Sequence, residues 1–110
     1  MTVDDLNGVR IITFLTSQID ALNSEELRER LFSQIGESTQ VLIDLSEVQF
    51  IDSSGLGVLL ALVRIMHDRG GSVVFCSARP PVQALFRMVR LATIVTIYET
   101  RDDALAALSA

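Results

Sequence analysis

The stretch VLIDLSEVQFIDSSGLGVLLALV, Val41 to Val63, contains a strand, a connection and the start of a helix, and how these are read decides the fold. Gln40 to Leu45 is a short apolar run rich in β-branched residues, the pattern of a strand buried on both faces of a sheet. Ser46 to Ile51 forms the connection, in which Val48, Phe50 and Ile51 are expected to pin the chain to the core and fix the position of the helix start. Asp52 and Ser53 are both good N-cap residues, because a side-chain oxygen there accepts a hydrogen bond from a free N–H of the first helical turn. Gly55 and Gly57 fall inside that turn, where each costs about 1 kcal/mol of helix stability relative to alanine. The expected compensation is close approach: small residues at a helix start let another surface come near the backbone.

The helix itself carries two apolar stripes. Leu56, Leu59, Leu60, Val63 and Met66 recur at helical spacing and are expected to face the sheet. Val58, Leu62 and Ile65 form a second stripe, bounded by Ala61 and Arg64, which is covered by a neighbouring helix or forms part of a partner surface beside Ser54. If Asp52 or Ser53 does the capping, the Ser54 hydroxyl is left exposed. A phosphate on it would face free N–H groups and the positive end of the helix dipole, so the fold should tolerate it. Capping alone accounts for such residues at many helix starts. Two serines and an aspartate, however, exceed what one cap needs.

The rest of the chain extends this unit in both directions. Asn7-Gly8 is a two-residue hairpin signal joining strands near Thr2–Leu6 and Val9–Phe14. Asn23 followed by Glu26 offers a cap for a helix from Ser24 to Ile35, with Leu27, Leu31 and Ile35 on one face and Gly36 as the stop. Gly70-Gly71 ends the central helix before a strand at Ser72–Cys76. Pro80-Pro81 opens a helix bearing Val82, Leu85, Phe86 and Val89, after which Ala92 to Tyr98 reads as a strand. Thr100 to Asp103 caps a last helix containing Leu105 and Leu108. The expected fold is α/β, a single domain over 1–110: a mostly parallel sheet with right-handed crossovers, an antiparallel N-terminal hairpin and about four helices. Ligands and partners of such sheets meet the chain where strands end and helices begin, as at Asp52–Gly57.

Bulk properties exclude several classes of function. The chain has 110 residues, enough to bury roughly 65% of its unfolded surface without a metal or disulfide. Fourteen acidic residues against nine basic ones give a net charge of -5, and all the basic residues are arginine. That balance disfavours direct nucleic-acid binding and anionic membranes. The longest apolar run, Gly55 to Val63, is far short of the about 20 residues of a membrane span. The acids in MTVDDLNGVR do not fit a signal peptide, and Cys76 reads as a small buried hydrophobe in a reducing compartment. The expected location is the cytoplasm.

The segment from Val41 to Val63, with Gly70–Val74 and Pro81–Phe86, resembles the STAS domain, specifically the bacterial anti-sigma-factor antagonists. In that family a serine of the D-S-S-G-like motif is phosphorylated by an anti-sigma factor that is also a serine kinase, and the matching position is Ser54. The resemblance implies that Asp52 is the acidic neighbour that helps present Ser54. It also implies a partner surface made of Ser54, Gly55, Leu56, Gly57, Val58, Ala61 and Leu62. The unphosphorylated form would bind the anti-sigma factor and free a sigma factor, and a serine phosphatase would reset the switch. Two departures stand out: Leu15–Asp20 lacks the glycine usual after the second strand, and Val89-Arg90-Leu91 lacks the one common after the third helix. The first bears on a loop lining the partner surface, whereas the second is expected to change only how a helix ends.

Other readings are weaker. No catalytic set is expected: His67 beside Asp68 is the one histidine, and there is no G-x-S-x-G elbow and no metal-ligand cluster. Gly55-Leu56-Gly57 begins like a nucleotide fingerprint, but Leu60 stands where the third glycine belongs and the chain has no P-loop lysine. No cofactor is expected. The alternative function is that of a STAS interaction subunit of a transport or signalling assembly in which Ser54 is never phosphorylated.

Overall fold

Asn7 and Gly8 both take left-handed backbone, with φ of 52° and 81°, as a two-residue type I′ hairpin turn requires. A computed structural model describes residues 1–108 of the chain. In chain order the elements are β1 (Thr2–Leu6), β2 (Val9–Thr13), β3 (Gln18–Ile19), α1 (Ser24–Ile35), β4 (Gln40–Asp44), β5 (Phe50–Ile51), α2 (Ser53–Asp68), β6 (Ser72–Cys76), α3 (Pro80–Met88), a 3-10 turn (Leu91–Thr93), β7 (Thr96–Tyr98) and α4 (Arg101–Leu108). The main sheet runs β1-β2-β4-β6-β7. Its hairpin pair is antiparallel and every other pair is parallel.

Register separates the two faces of this sheet. Ile12 lies beside Ile43 and Ile43 beside Phe75, and this face packs against Leu27, Leu31 and Ile35 of α1, Leu59, Leu62 and Met66 of α2, and Val82 and Phe86 of α3. Ile11 lies beside Leu42 and Leu42 beside Val74 on the other face, where Val9 and Cys76 are also buried and where, among the described residues, α4 supplies the cover through Ala104, Leu105 and Leu108. β4 is therefore buried on both sides, as its unbroken apolar run implies. Burial pushes the Cys76 thiol up to about 11, so it remains a protonated packing group.

Three expectations need correction. The run from Ala92 to Tyr98 is not one strand: Leu91 and Val95 are buried four residues apart, and the Leu91 carbonyl accepts from both Ile94 N (3.0 Å) and Val95 N (3.1 Å). Helical spacing of the two core residues wins there, and the strand starts only at Thr96. Asn23 precedes α1 without capping it, because its Oδ1 accepts from Asp20 N (2.9 Å) and its Nδ2 donates to the Gln18 carbonyl (2.8 Å). Phe50 does not pin the connection to the core, being 53% exposed, whereas Val48 and Ile51 do. The expected cap of α4 does form, with Asp103 N donating to Thr100 Oγ1 at 3.1 Å.

α4 is tied to the sheet by charge. Arg101 Nε donates to Asp44 Oδ2 (2.9 Å) and a second guanidinium nitrogen to Thr13 Oγ1 (2.6 Å), while Ser46 N donates to Asp44 Oδ1 (2.9 Å). Burial alone raises the Asp44 pKa, but hydrogen bonds from Ser46 and Arg101 outweigh it and hold the carboxyl below its usual value. A depressed carboxyl stabilises the fold above its unfolded pKa of about 3.9, and that contribution is lost as pH falls through the lower folded value. Stability should therefore be level near neutrality and fall below about pH 4. Arg101→Gln should cost about 1–2 kcal/mol, since the guanidinium is partly solvent-screened. It should also move acid unfolding to higher pH, which circular dichroism melts across a pH series will show.

Candidate functional site

The site is built where β5 passes into α2, and the strand that frames it is too short to have left a pattern in the sequence. β3 and β5 are two residues each and pair in parallel, Gln18 with Phe50 and Ile19 with Ile51. The Ser17 carbonyl accepts from both Gln49 N (2.7 Å) and Phe50 N (3.2 Å), and the Ile19 carbonyl accepts from Asp52 N (3.1 Å). The connection after β2 is thereby laced to the entry of α2.

Asp52 completes this lacing. Its Oδ1 accepts from Gly55 N (3.0 Å), making it the N-cap of α2, and its Oδ2 accepts from Ala21 N (3.1 Å). One carboxylate thus holds both the helix start and the Asp20–Asn23 turn. Capping falls to Asp52, so Ser53 and Ser54 are left in the first turn with hydroxyls that have no hydrogen-bond partner among the described residues. Ser53 is exposed and Ser54 half-buried.

Gly55 has a structural reason to be glycine. A Cβ there would meet the Ile19 carbonyl oxygen and lie 2.8 Å from Ile19 Cγ2 and 2.9 Å from Ile51 Cγ2. The surface that approaches this glycine is the chain's own β3–β5 pair. Gly57 differs: a Cβ would meet nothing within 4 Å, and the residue is exposed. It leaves bare backbone on the outside of the first turn.

Ser54 opens onto a groove of ≈ 490 Å³ between α1 and α2, lined by Ser24, Glu25, Arg28, Glu29 and Phe32 on one side and Gly57 and Val58 on the other. The Arg28 guanidinium lies 5.4 Å from the Phe32 ring centroid, within cation–π range. Ser54 therefore looks out on charges of both signs. Leu22, 95% exposed on the turn that Asp52 holds, and the exposed Phe50 add apolar surface at the same end.

Of the expected partner surface, Ser54, Gly57 and Ala61 are accessible, whereas Gly55, Leu56, Val58 (5% exposed) and Leu62 (0%) are buried. Val58 and Leu62 pack in the main core with Leu27 and Leu31, so α1 covers these two residues of the stripe, whereas Ile65 is half-buried. Leu60, expected to face the sheet, is exposed instead. Periodicity identified the two stripes but not the angle at which α1 crosses them. Among the described residues no group of three or more His, Cys, Asp or Glu side chains could hold a metal ion, and no helix is long and apolar enough to cross a membrane.

Residues 1–104 match the STAS domain family. The anti-sigma F factor antagonist of Paenibacillus polymyxa is 33% identical over 103 residues, covering 92% of this chain and 87% of that protein. The crystal structure of an anti-sigma factor antagonist from Mycobacterium paratuberculosis, 26% identical, aligns with a TM-score of 0.85 over 96% of this chain and 90% of its own. SpoIIAA of Bacillus has the same fold in its unphosphorylated form, at 20% identity and TM-score 0.78 over 97% of this chain and 94% of that one. Its phosphorylated form aligns at 19% identity and TM-score 0.73 over 97% of both chains. The short parallel pair, the aspartate-capped helix and the free serines beyond it thus belong to a member of the STAS domain family, of the anti-sigma factor antagonist kind.

Proposed function

We propose that the start of α2 is a phosphorylation switch: with Ser54 free the chain binds an anti-sigma factor that is also a serine kinase, and with Ser54 phosphorylated it does not. The observation that carries this reading is the division of labour at the helix start. Asp52 caps, so the Ser54 hydroxyl is spent on nothing else.

In the transfer, Ser54 Oγ attacks the γ-phosphorus of ATP held by the kinase. The O–P bond forms as the bond to ADP breaks, and the hydroxyl proton leaves with a base. Both Asp52 oxygens already accept backbone N–H bonds, so Asp52 is a positioning residue and the base comes from the partner. The phosphate carries about -1.5 to -2 charges. It would meet the N-terminal N–H groups of α2 on its own side and, across the groove on α1, Arg28 together with Glu25 and Glu29. The fold can accommodate that charge in water, but an interface that buries it would lose much of its affinity. A serine phosphatase would restore the binding form.

Incubation with ATP and lysate of the source cells, followed by intact mass and fragmentation, tests this directly. One phosphoryl group on Ser54 is expected. No phosphate, with a control substrate labelled in the same lysate, would favour the constitutive interaction subunit. Asp52→Asn keeps a capping oxygen but loses the charge and has only one acceptor oxygen to serve two N–H groups. It should melt within a few degrees of the native chain yet be phosphorylated at least about tenfold more slowly. Equal rates would reduce Asp52 to a cap.

A further inference from the structure

The end of α3 and the turn after it enclose a second concavity, of ≈ 380 Å³, which shares no lining residue with the Ser54 groove. Buried Phe86 and half-buried Ile97 form its apolar part, with Ala92 and Thr93 beside them and Arg87 and Arg90 exposed around it. Gln83 closes one side, fixed by its Nε2 donating to the Ala78 carbonyl at 2.7 Å. Neither guanidinium has a hydrogen-bond or ion-pair partner among the described residues. In a chain of net charge -5, two unpaired arginines beside one apolar hollow run against the overall balance.

Arg90 is also held in an unfavourable backbone conformation. Its φ of 54° and ψ of 43° are left-handed, a region in which residues other than glycine are strained and which is over-represented at functional sites. The Arg90 carbonyl accepts from Thr93 Oγ1 (2.7 Å) and Thr93 N (3.1 Å), and these bonds keep the turn, and the side chain it carries, in place. None of the residues lining this pocket is acidic, and Glu99 lines the adjoining hollow that shares Gln83 and Ile97.

We propose that this pocket binds a small anionic amphiphile, a carboxylate with an aliphatic or aromatic body. Its apolar part lies on Phe86 and Ile97, and its carboxylate lies between Arg87 and Arg90, whose planar guanidinium groups match two oxygens. The volume is that of a small-ligand site, and an inorganic anion would leave the apolar surface uncovered. The site is independent of the Ser54 switch.

Titration of the isotopically labelled full chain with sodium decanoate, followed through backbone amide shifts, provides the test. Saturable shifts confined to residues 83–97 are expected, with acetate and decanol each binding at least about tenfold more weakly. Arg90→Gly relieves the left-handed strain, so it should melt no lower than about the native temperature while binding decanoate at least about tenfold more weakly. Arg87→Gln should weaken binding in the same direction. The proposal is overturned if decanoate produces no saturable shifts or shifts elsewhere, if decanol binds as well, or if folded Arg90→Gly binds as tightly as the native chain.

Discussion

Replacing Gly55 with alanine should lower the melting temperature by roughly 8–24 °C. The new methyl group has nowhere to go: the Ile19 carbonyl oxygen and the Ile19 and Ile51 methyl groups already occupy its place. Ile19 is fully buried and its carbonyl accepts from Asp52 N, so the obstacle is backbone that cannot swing aside. Overpacking of this kind costs about 2–3 kcal/mol. The natural control lies two residues along. Gly57→Ala adds a methyl group to open space and gains about 1 kcal/mol of helix propensity, so it should raise the melting temperature by about 4–8 °C. Thermal melts of the two variants must move in opposite directions, and a shared direction would mean that the β3–β5 pair does not press on the helix.

The second large effect is on binding. Ser54→Asp should weaken association with the proposed anti-sigma factor kinase by at least about 100-fold while melting within a few degrees of the native chain, and Ser54→Ala should bind whatever the supply of ATP. Stability is spared because the carboxylate sits in the first turn, near the positive end of the helix and in reach of water. Affinity is not spared, because a closed interface removes that water. A complete swing from one per cent bound to ninety-nine requires about 5.5 kcal/mol, which an uncompensated phosphate can supply more readily than aspartate. Calorimetry on the two variants separates the outcomes: if Ser54→Asp binds as tightly as Ser54→Ala, charge at this position is not the switch.

What the sequence made legible is chemistry confined to a few neighbouring residues. Asn7-Gly8 specifies its own turn, and Leu27, Leu31 and Ile35 mark a buried face over the full length of α1. Ser72–Cys76 is bounded by Gly70-Gly71 on one side, and its strand limits emerged as expected. The D-S-S-G stretch announced both a cap and a spare hydroxyl. What stayed hidden depends on residues far apart in the chain. Two-residue strands such as Gln18–Ile19 and Phe50–Ile51 are too short to show any periodicity, yet their pairing explains Gly55 and the second hydrogen bond of Asp52. The apolar run after Arg90 contained a helical spacing, Leu91 to Val95, that its β-branched composition concealed. The burial of Val58 and Leu62 comes from the placement of α1, which no window within α2 contains.

The two faces of the sheet are protected very unequally. Three helices cover the side that carries the Ser54 groove, whereas the other side depends on α4 and on the contact of Arg101 with Asp44 and Thr13. α4 is therefore expected to part from the sheet early in acid, because protonation of Asp44 removes the ion pair that ties it there, and hydrogen exchange across a pH series will show it. A partner docked at the proposed switch would then engage the three-helix side and leave α4 untouched. The element expected to loosen first and the proposed switch thus lie on opposite faces of one sheet.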